Sequence, residues 1–143
     1  MRKGFTLIEI MTTVLIITIL AAIGIPNLLR SRLNANESAA ISNLRTVCSA
    51  AQSYRGANIN YPLTLSSLGP ASSQPPYIDS ELANGLRQSY DFSLSGMNNS
   101  FTATALPRNY GFSGRRSFFV DETGVIYWTN TGQPPSAADS VLE

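Results

Sequence analysis

Residues 10–29, IMTTVLIITILAAIGIPNLL, form a run of twenty residues without one charged side chain. As a helix such a run is about 30 Å long, the thickness of a bilayer's hydrocarbon core. Basic residues flank it, Arg2 and Lys3 before and Arg30 and Arg32 after. The run must therefore sit in lipid, be buried among other apolar helices, or be cut away. A secretory signal peptide shares the basic start and the apolar stretch, and AAIG at 21–24 resembles a small-residue cleavage site. Two features oppose that reading. The apolar pattern continues past residue 24, and a carboxylate, Glu9, stands at the head of the run, where an ordinary signal gains nothing from it.

Glu9 is the most informative single residue. A charged side chain in a membrane helix costs on the order of a few kcal/mol, less near the interface, and is usually paired. If the residues before Phe5 are removed, the new α-amino group of Phe5 is a cation one helical turn from Glu9. Between two chains, Glu9 of one and the Phe5 amine of the next neutralise each other in an apolar interior and set the axial register of helix against helix. A glutamate snorkelling to the membrane edge fits the residues equally well.

Residues 1–9, MRKGFTLIE, resemble the prepilin signature of type IV pilins and type II secretion pseudopilins: a short basic leader ending in Gly, then an aromatic residue, with a Glu at the fifth position after the cut. Here the matching residues are Gly4, Phe5 and Glu9, and the resemblance is specific over residues 1–33. It implies a leader of residues 1–4, cleavage between Gly4 and Phe5 by prepilin peptidase, N-methylation of Phe5, and alignment of subunits by Glu9. Pro26 falls where the family commonly has a proline that kinks or loosens the helix, and a proline does remove an i→i−4 bond. Thr18 departs from the family, in which many relatives carry Gly there.

After Pro26 the pattern becomes periodic. Leu29, Leu33, Ala40, Ile41, Leu44, Val47, Cys48, Ala51 and Tyr54 recur at three- and four-residue steps, with Arg30, Asn34, Glu37, Asn43, Arg45 and Arg55 on the other face. This is an amphipathic helix on a core, and it predicts one helix from about residue 5 to 55, stopped by Gly56 and Asn58. Residues 56–88 are rich in Asn, Pro, Ser and Gly, with a short helical turn expected near Leu63–Leu68 and a short helix over 79–87 capped by Asp79 or Ser80. From residue 89 the period becomes two. Tyr90, Phe92 and Leu94 form one strand, Gly96 to Asn99 a turn, and Phe101, Ala103 and Ala105 the next strand. The segments 117–120 and 125–128 then flank a hairpin turn at 121–124. The tail 129–143 reads as irregular. The fold class predicted is α+β and pilin-like, a long N-terminal helix packed against an antiparallel sheet of about four strands. Its parts are a leader (1–4), a transmembrane or filament-core helix (5–29) and a head (30–143).

With no histidine among 143 residues, Ser-His and Cys-His catalysis and histidine-ligated metals are excluded. One cysteine, Cys48, excludes an intrachain disulfide. The net charge of +1 gives no bulk drive toward nucleic acid. The resemblance implies a look for calcium at Asp121, Glu122 and Asp139, since some type II pseudopilin heads bind it near the C-terminus, but the ligand count is poor and a solvated turn is the better reading. Arg108, Arg115 and Arg116 with Tyr110 and Phe112 make a basic aromatic loop. It suits DNA during uptake or an acidic surface, and a solvated loop or subunit contact is the simpler reading.

Residues and resemblance together predict no enzyme, no cofactor and no metal. They predict a structural subunit of a type IV pilus serving adhesion, motility or DNA uptake, with a type II secretion pseudopilin as the alternative. The implied partners are further copies of the chain, prepilin peptidase, the assembly platform with its ATPase, and possible DNA or a surface receptor. The precursor is expected in the inner membrane, and the product in an extracellular filament or a periplasmic pseudopilus.

Overall fold

The computed structural model describes residues 4–142; Met1, Arg2, Lys3 and Glu143, which fall in the predicted leader and tail, lie outside the described residues. Helix α1 runs Leu7–Ala57 as one element. The chain divides into two compact units, one up to Arg32 and one from Leu33 onward.

In the first unit nearly every side chain of α1 is exposed, Leu, Ile and Val included. Its few hydroxyls are satisfied within the helix. Thr12 Oγ1 donates to Glu9 O (3.0 Å), Thr13 Oγ1 to Ile10 O (2.9 Å) and Thr18 Oγ1 to Val14 O (2.8 Å). Such back-bonding lets a polar side chain sit in hydrocarbon without an unpaired donor. α1 is long and apolar enough to cross a membrane, and none of its most apolar stretch is buried in the protein.

In the second unit α1 carries a buried stripe, Glu37, Ala40, Leu44, Val47, Cys48, Ala50 and Ala51. Among the described residues beyond the helix come a 3₁₀ turn at Leu65–Leu68, a one-turn helix α2 (Ser80–Ala83), and six strands. These are β1 (Leu86–Arg87), β2 (Tyr90–Met97), β3 (Ser100–Pro107), β4 (Ser117–Asp121), β5 (Ile126–Thr129) and β6 (Ser140–Val141). All pair antiparallel with their sequence neighbours in the order β1-β2-β3-β4-β5-β6. The period-two pattern points Tyr90, Phe92 and Leu94 of β2 and Phe101, Ala103 and Ala105 of β3 into one core with the helix stripe. Small and large residues alternate across the sheet. Ala105 lies between Phe92 and Phe118, and Ala103 between Leu94 and Val120, so the bulky side chains interdigitate rather than collide.

Among the described residues the antiparallel sheet has six strands where about four were predicted. The extra pair, β1 and β6, are two-residue edges too short to show alternation. The β1–β2 turn is made by Gln88 and Ser89 at φ +47° and +64°, without the Asn-Gly or Asp-Gly pair that usually announces such a turn. The helix expected over 79–87 shrinks to Ser80–Ala83 because Leu86–Arg87 joins the sheet. Asp79 stands at its N-cap position without capping it; its carboxylate instead holds Arg87, at 2.8 and 2.9 Å. Gly96 and Met97 extend β2, so the turn is Asn98–Asn99. The tail expected to be irregular supplies β6, and Leu142 N donates to Ile126 O (2.8 Å).

Candidate functional site

The N-terminal segment has a local geometry of its own. Gly4, Phe5 and Thr6 precede α1 and are exposed, Phe5 at 80%. Thr6 Oγ1 accepts the Glu9 N–H (3.3 Å), while a Glu9 carboxylate oxygen reaches back to Thr6 N and Thr6 Oγ1, each at 3.5 Å. This reciprocal arrangement is a capping box, in which a Thr at the cap and a Glu three residues on satisfy each other's end of the helix. The carboxylate also lies beside the positive end of the helix dipole. Its contacts are at the long limit of hydrogen bonding, so Glu9 is poised at an exposed helix start and only loosely held. The Thr-x-x-Glu spacing at 6–9 was readable in the sequence and was missed there.

Pro26 lies 17 residues beyond Glu9, about 25 Å along a helix. The structure therefore does not bring the two together. α1 continues through Pro26, whose missing N–H leaves the Ala22 carbonyl without its intrahelical donor.

In the second unit a charged cluster fastens the β3–β4 loop to α1. Glu37, only 5% exposed, was assigned to the polar face of the helix; it belongs to the buried stripe instead. Its Oε1 accepts the backbone N–H groups of Arg115 (2.8 Å) and Arg116 (3.3 Å), and its Oε2 accepts Arg116 Nε (2.7 Å). The Arg116 guanidinium is also placed over the rings of Phe118 (5.7 Å) and Trp128 (5.5 Å). Asn36 Nδ2 donates to Ser113 O (3.0 Å), and Tyr90, fully buried, donates its hydroxyl to Arg116 O (2.9 Å). Burial, and then the negative Glu37, push the Tyr90 pKa far above the ordinary tyrosine range, against the opposing pull of Arg116. The signal for Glu37 was its position: 37, 40, 44, 47 and 51 share one helical face.

Of the other candidates, Asp121 is spent on its own turn. Its Oδ1 accepts the Thr123 N–H (3.0 Å) and the Thr123 hydroxyl, with Gly124 at φ +78° completing the hairpin. Among the described residues no group of three or more metal-ligating side chains of the His, Cys, Asp and Glu types comes together. Cys48 is buried, and burial, followed by the charge of Asp121, raises its thiol pKa. Arg116 is drawn into the Glu37 cluster, whereas Arg108, Tyr110, Phe112 and Arg115 remain exposed.

Comparison with known proteins adds to this geometry. The prokaryotic N-terminal methylation motif matches residues 1–25. The type II secretion system core protein G of Escherichia coli K12 is 37% identical over 78 residues, 52% of this chain and 54% of that protein. Its counterpart in Dickeya chrysanthemi is 34% identical over 74 residues, 52% of this chain and 48% of the relative. The type IV major pilin protein PilA of Myxococcus xanthus is 45% identical over 53 residues, 37% of this chain and 24% of the relative. The chain thus spans about half the length, or less, of these curated relatives.

Proposed function

We propose that this chain, which belongs to the family of type IV pilins and type II secretion pseudopilins, is a non-enzymatic filament subunit, cleaved between Gly4 and Phe5 and polymerised through α1. The observation that carries the reading is the methylation motif running into an exposed apolar helix whose first turn holds one loosely bound carboxylate. In the precursor the stem is kept in the inner membrane. On assembly its lipid contacts are exchanged for contacts with other stems. That exchange carries little hydrophobic drive, so packing and charge matching decide it. Glu9 leaves its capping contacts to neutralise the Phe5 amine of a neighbour. Pro26, with one carbonyl already unpaired, gives the stem a point at which to adjust.

Between the two filament classes, support falls on the type II secretion pseudopilus, the alternative of the sequence reading. The matches to core protein G cover 74 to 78 residues. That is more than the 57 from the chain start to the end of α1, so they include residues beyond the helix. The match to the Myxococcus pilin, over 53 residues, is no longer than the helix with its leader. A surface pilus remains the second reading, favoured by the higher identity of that shorter match.

Shearing cells that express the chain and following it by immunoblot distinguishes the classes. Retention with the cell envelope accords with the pseudopilus; release in long sheared filaments selects the pilus instead. In either class Glu9→Val leaves a stable membrane protein that fails to enter the polymer, and normal polymer yield from this variant would refute the role of Glu9.

A further inference from the structure

The β3–β4 loop is fastened to α1 where the helix enters the head. Asn36 Nδ2 donates to Ser113 O (3.0 Å), and Glu37 Oε1 accepts the N–H groups of Arg115 (2.8 Å) and Arg116 (3.3 Å). The other end of the head is fastened at Arg55, whose Nη2 donates to Asn99 Oδ1 (3.4 Å), about 28 Å further along the helix. The uncharged run ends at Leu29, and residue 36 follows seven positions later. That interval is about 11 Å of helical rise, or at most about 25 Å of extended chain. With the run in hydrocarbon, the headgroup layer takes up about 5–7 Å of it. The length of chain alone, whatever the angle between stem and head, therefore keeps this loop within reach of the lipid surface.

What the loop presents suits such a surface. Residues 108–116 hold three arginines and no acidic residue. Arg116 is turned inward, its Nε donating to Glu37 Oε2 (2.7 Å). Arg108 and Arg115 are exposed, and Phe112, between them in sequence, is 86% exposed. Among the described residues neither of these two arginine side chains has a salt-bridge partner; Glu81 lines the same shallow groove as Arg108 without pairing to it.

Phe112 is also held out by an ordered loop. Its N–H donates to Asn109 O (3.0 Å), Gly111 N to Gly114 O (2.8 Å) and Asn109 N to Ser113 Oγ (2.9 Å), and Glu37 pins the following residues. Little ordering entropy remains to be lost when such a ring is covered. An apolar ring beside free cations fits the boundary of a bilayer, where the ring reaches the acyl chains and the cations stay with the phosphates.

We infer that in the membrane-held subunit the 108–116 loop docks on the leaflet from which the stem emerges. Phe112 enters the interface, and Arg108 and Arg115 meet the headgroup phosphates of anionic phospholipid. The inference rests on the membrane-held stem of the filament reading and adds a second, reversible contact with lipid. Because the stem already anchors the chain, the docking is in effect intramolecular, and one ring with two cations suffices where a detached head would need more. The contact is given up when the subunit leaves the membrane, so it holds the waiting subunit back until it is extracted.

The test places the full chain in lipid vesicles, with Cys48→Ala removing the native thiol and a single nitroxide at Asn109→Cys, an exposed position near the ring. Collisions of the nitroxide with oxygen, which concentrates in lipid, and with a water-soluble nickel complex report its depth. A label at Met97→Cys serves the far end of the head, and one at Leu15→Cys reports whether the stem is in lipid. In vesicles containing phosphatidylglycerol, the label at 109 is expected to be shielded from nickel and the label at 97 open to it. Phe112→Ser lowers the shielding, and so does replacing phosphatidylglycerol by phosphatidylcholine. Each cation near an anionic surface is worth about fivefold, so Arg108→Glu with Arg115→Glu lowers the docked-to-free ratio by about 25-fold or more. A label at 109 as open to nickel as that at 97, with the Leu15→Cys label in lipid, would overturn this inference and leave the membrane-held stem standing. A Leu15→Cys label open to water would overturn both. Shielding unchanged in the double arginine variant would refute the role of anionic lipid, and shielding that appears only when a DNA duplex is added would overturn the inference in favour of nucleic acid.

Discussion

Replacing Glu37 by alanine removes the carboxylate that fastens the β3–β4 loop to α1. That carboxylate is 7% exposed and accepts three N–H groups, two from backbone and one from a guanidinium. Removing one partner of a buried ion pair costs about 3–5 kcal/mol, because the other charge is left stranded. The Arg116 side chain is 34% exposed and rehydrates in part, which places the cost at the lower end, about 3 kcal/mol. The backbone N–H groups of Arg115 and Arg116 also lose their acceptor, at about 1 kcal/mol each if they stay dry, and this keeps the total from falling further. For a head of this size, 3 kcal/mol lowers the melting temperature by about 10 °C. Glu37→Gln retains an acceptor oxygen and costs about half as much. The assay is thermal unfolding of the full chain in detergent micelles, combined with a double-mutant cycle against Arg116→Met. A coupling energy of about 1–2 kcal/mol is expected. A Glu37→Ala cost below about 0.5 kcal/mol, or zero coupling, would refute the role assigned to the pair.

Two glycines give opposite outcomes when changed to alanine. A Cβ on Gly96 would lie 2.0 Å from the backbone oxygen of Pro62, so Gly96→Ala costs about 2 kcal/mol or more, whereas one on Gly56, in the last turns of α1, meets nothing within 4 Å, and Gly56→Ala gains a few tenths of a kcal/mol to about 1; urea midpoints measure both. Tyr90 makes stability fall at alkaline pH. Its folded pKa is raised, so its contribution is complete below the ordinary tyrosine pKa of about 10 and is lost as pH rises from there toward the folded value, by up to about 1.4 kcal/mol per pH unit. Tyr90→Phe costs about 1 kcal/mol at neutral pH through the lost bond to Arg116 O, and urea titrations at pH 8 and pH 11 should show a smaller alkaline loss in the variant than in the parent.

The helix, its change of character after Pro26 and the core strands were legible because each repeats a period long enough to be read. Leu44, Val47 and Ala51 mark successive turns of one face, and Tyr90, Phe92 and Leu94 alternate positions of a strand. The edge strands were not legible. Two residues hold no period, and the Gln88–Ser89 turn carries its positive φ angles without a residue type that announces them. Glu37 was misplaced because a charge on a helix is ordinarily solvated. Its burial depends on Arg116, 79 residues away, and no local pattern encodes that distance. Of the site, Glu9 stood out by its charge at the head of the apolar run and by the prepilin resemblance, while its capping partner Thr6, readable from the Thr-x-x-Glu spacing, was missed. The loop of Arg108, Phe112 and Arg115 was visible as a basic aromatic segment.

The central claim is that the chain is cut after Gly4 and keeps its stem for assembly. The direct measurement is mass spectrometry of the N-terminal peptide of the chain recovered from cells. Cleavage after Gly4 with methylation yields a peptide that begins at Phe5 and carries a methyl group on its amine. An intact Met1 start, or a start near residues 22–25 with the stem removed, would contradict it.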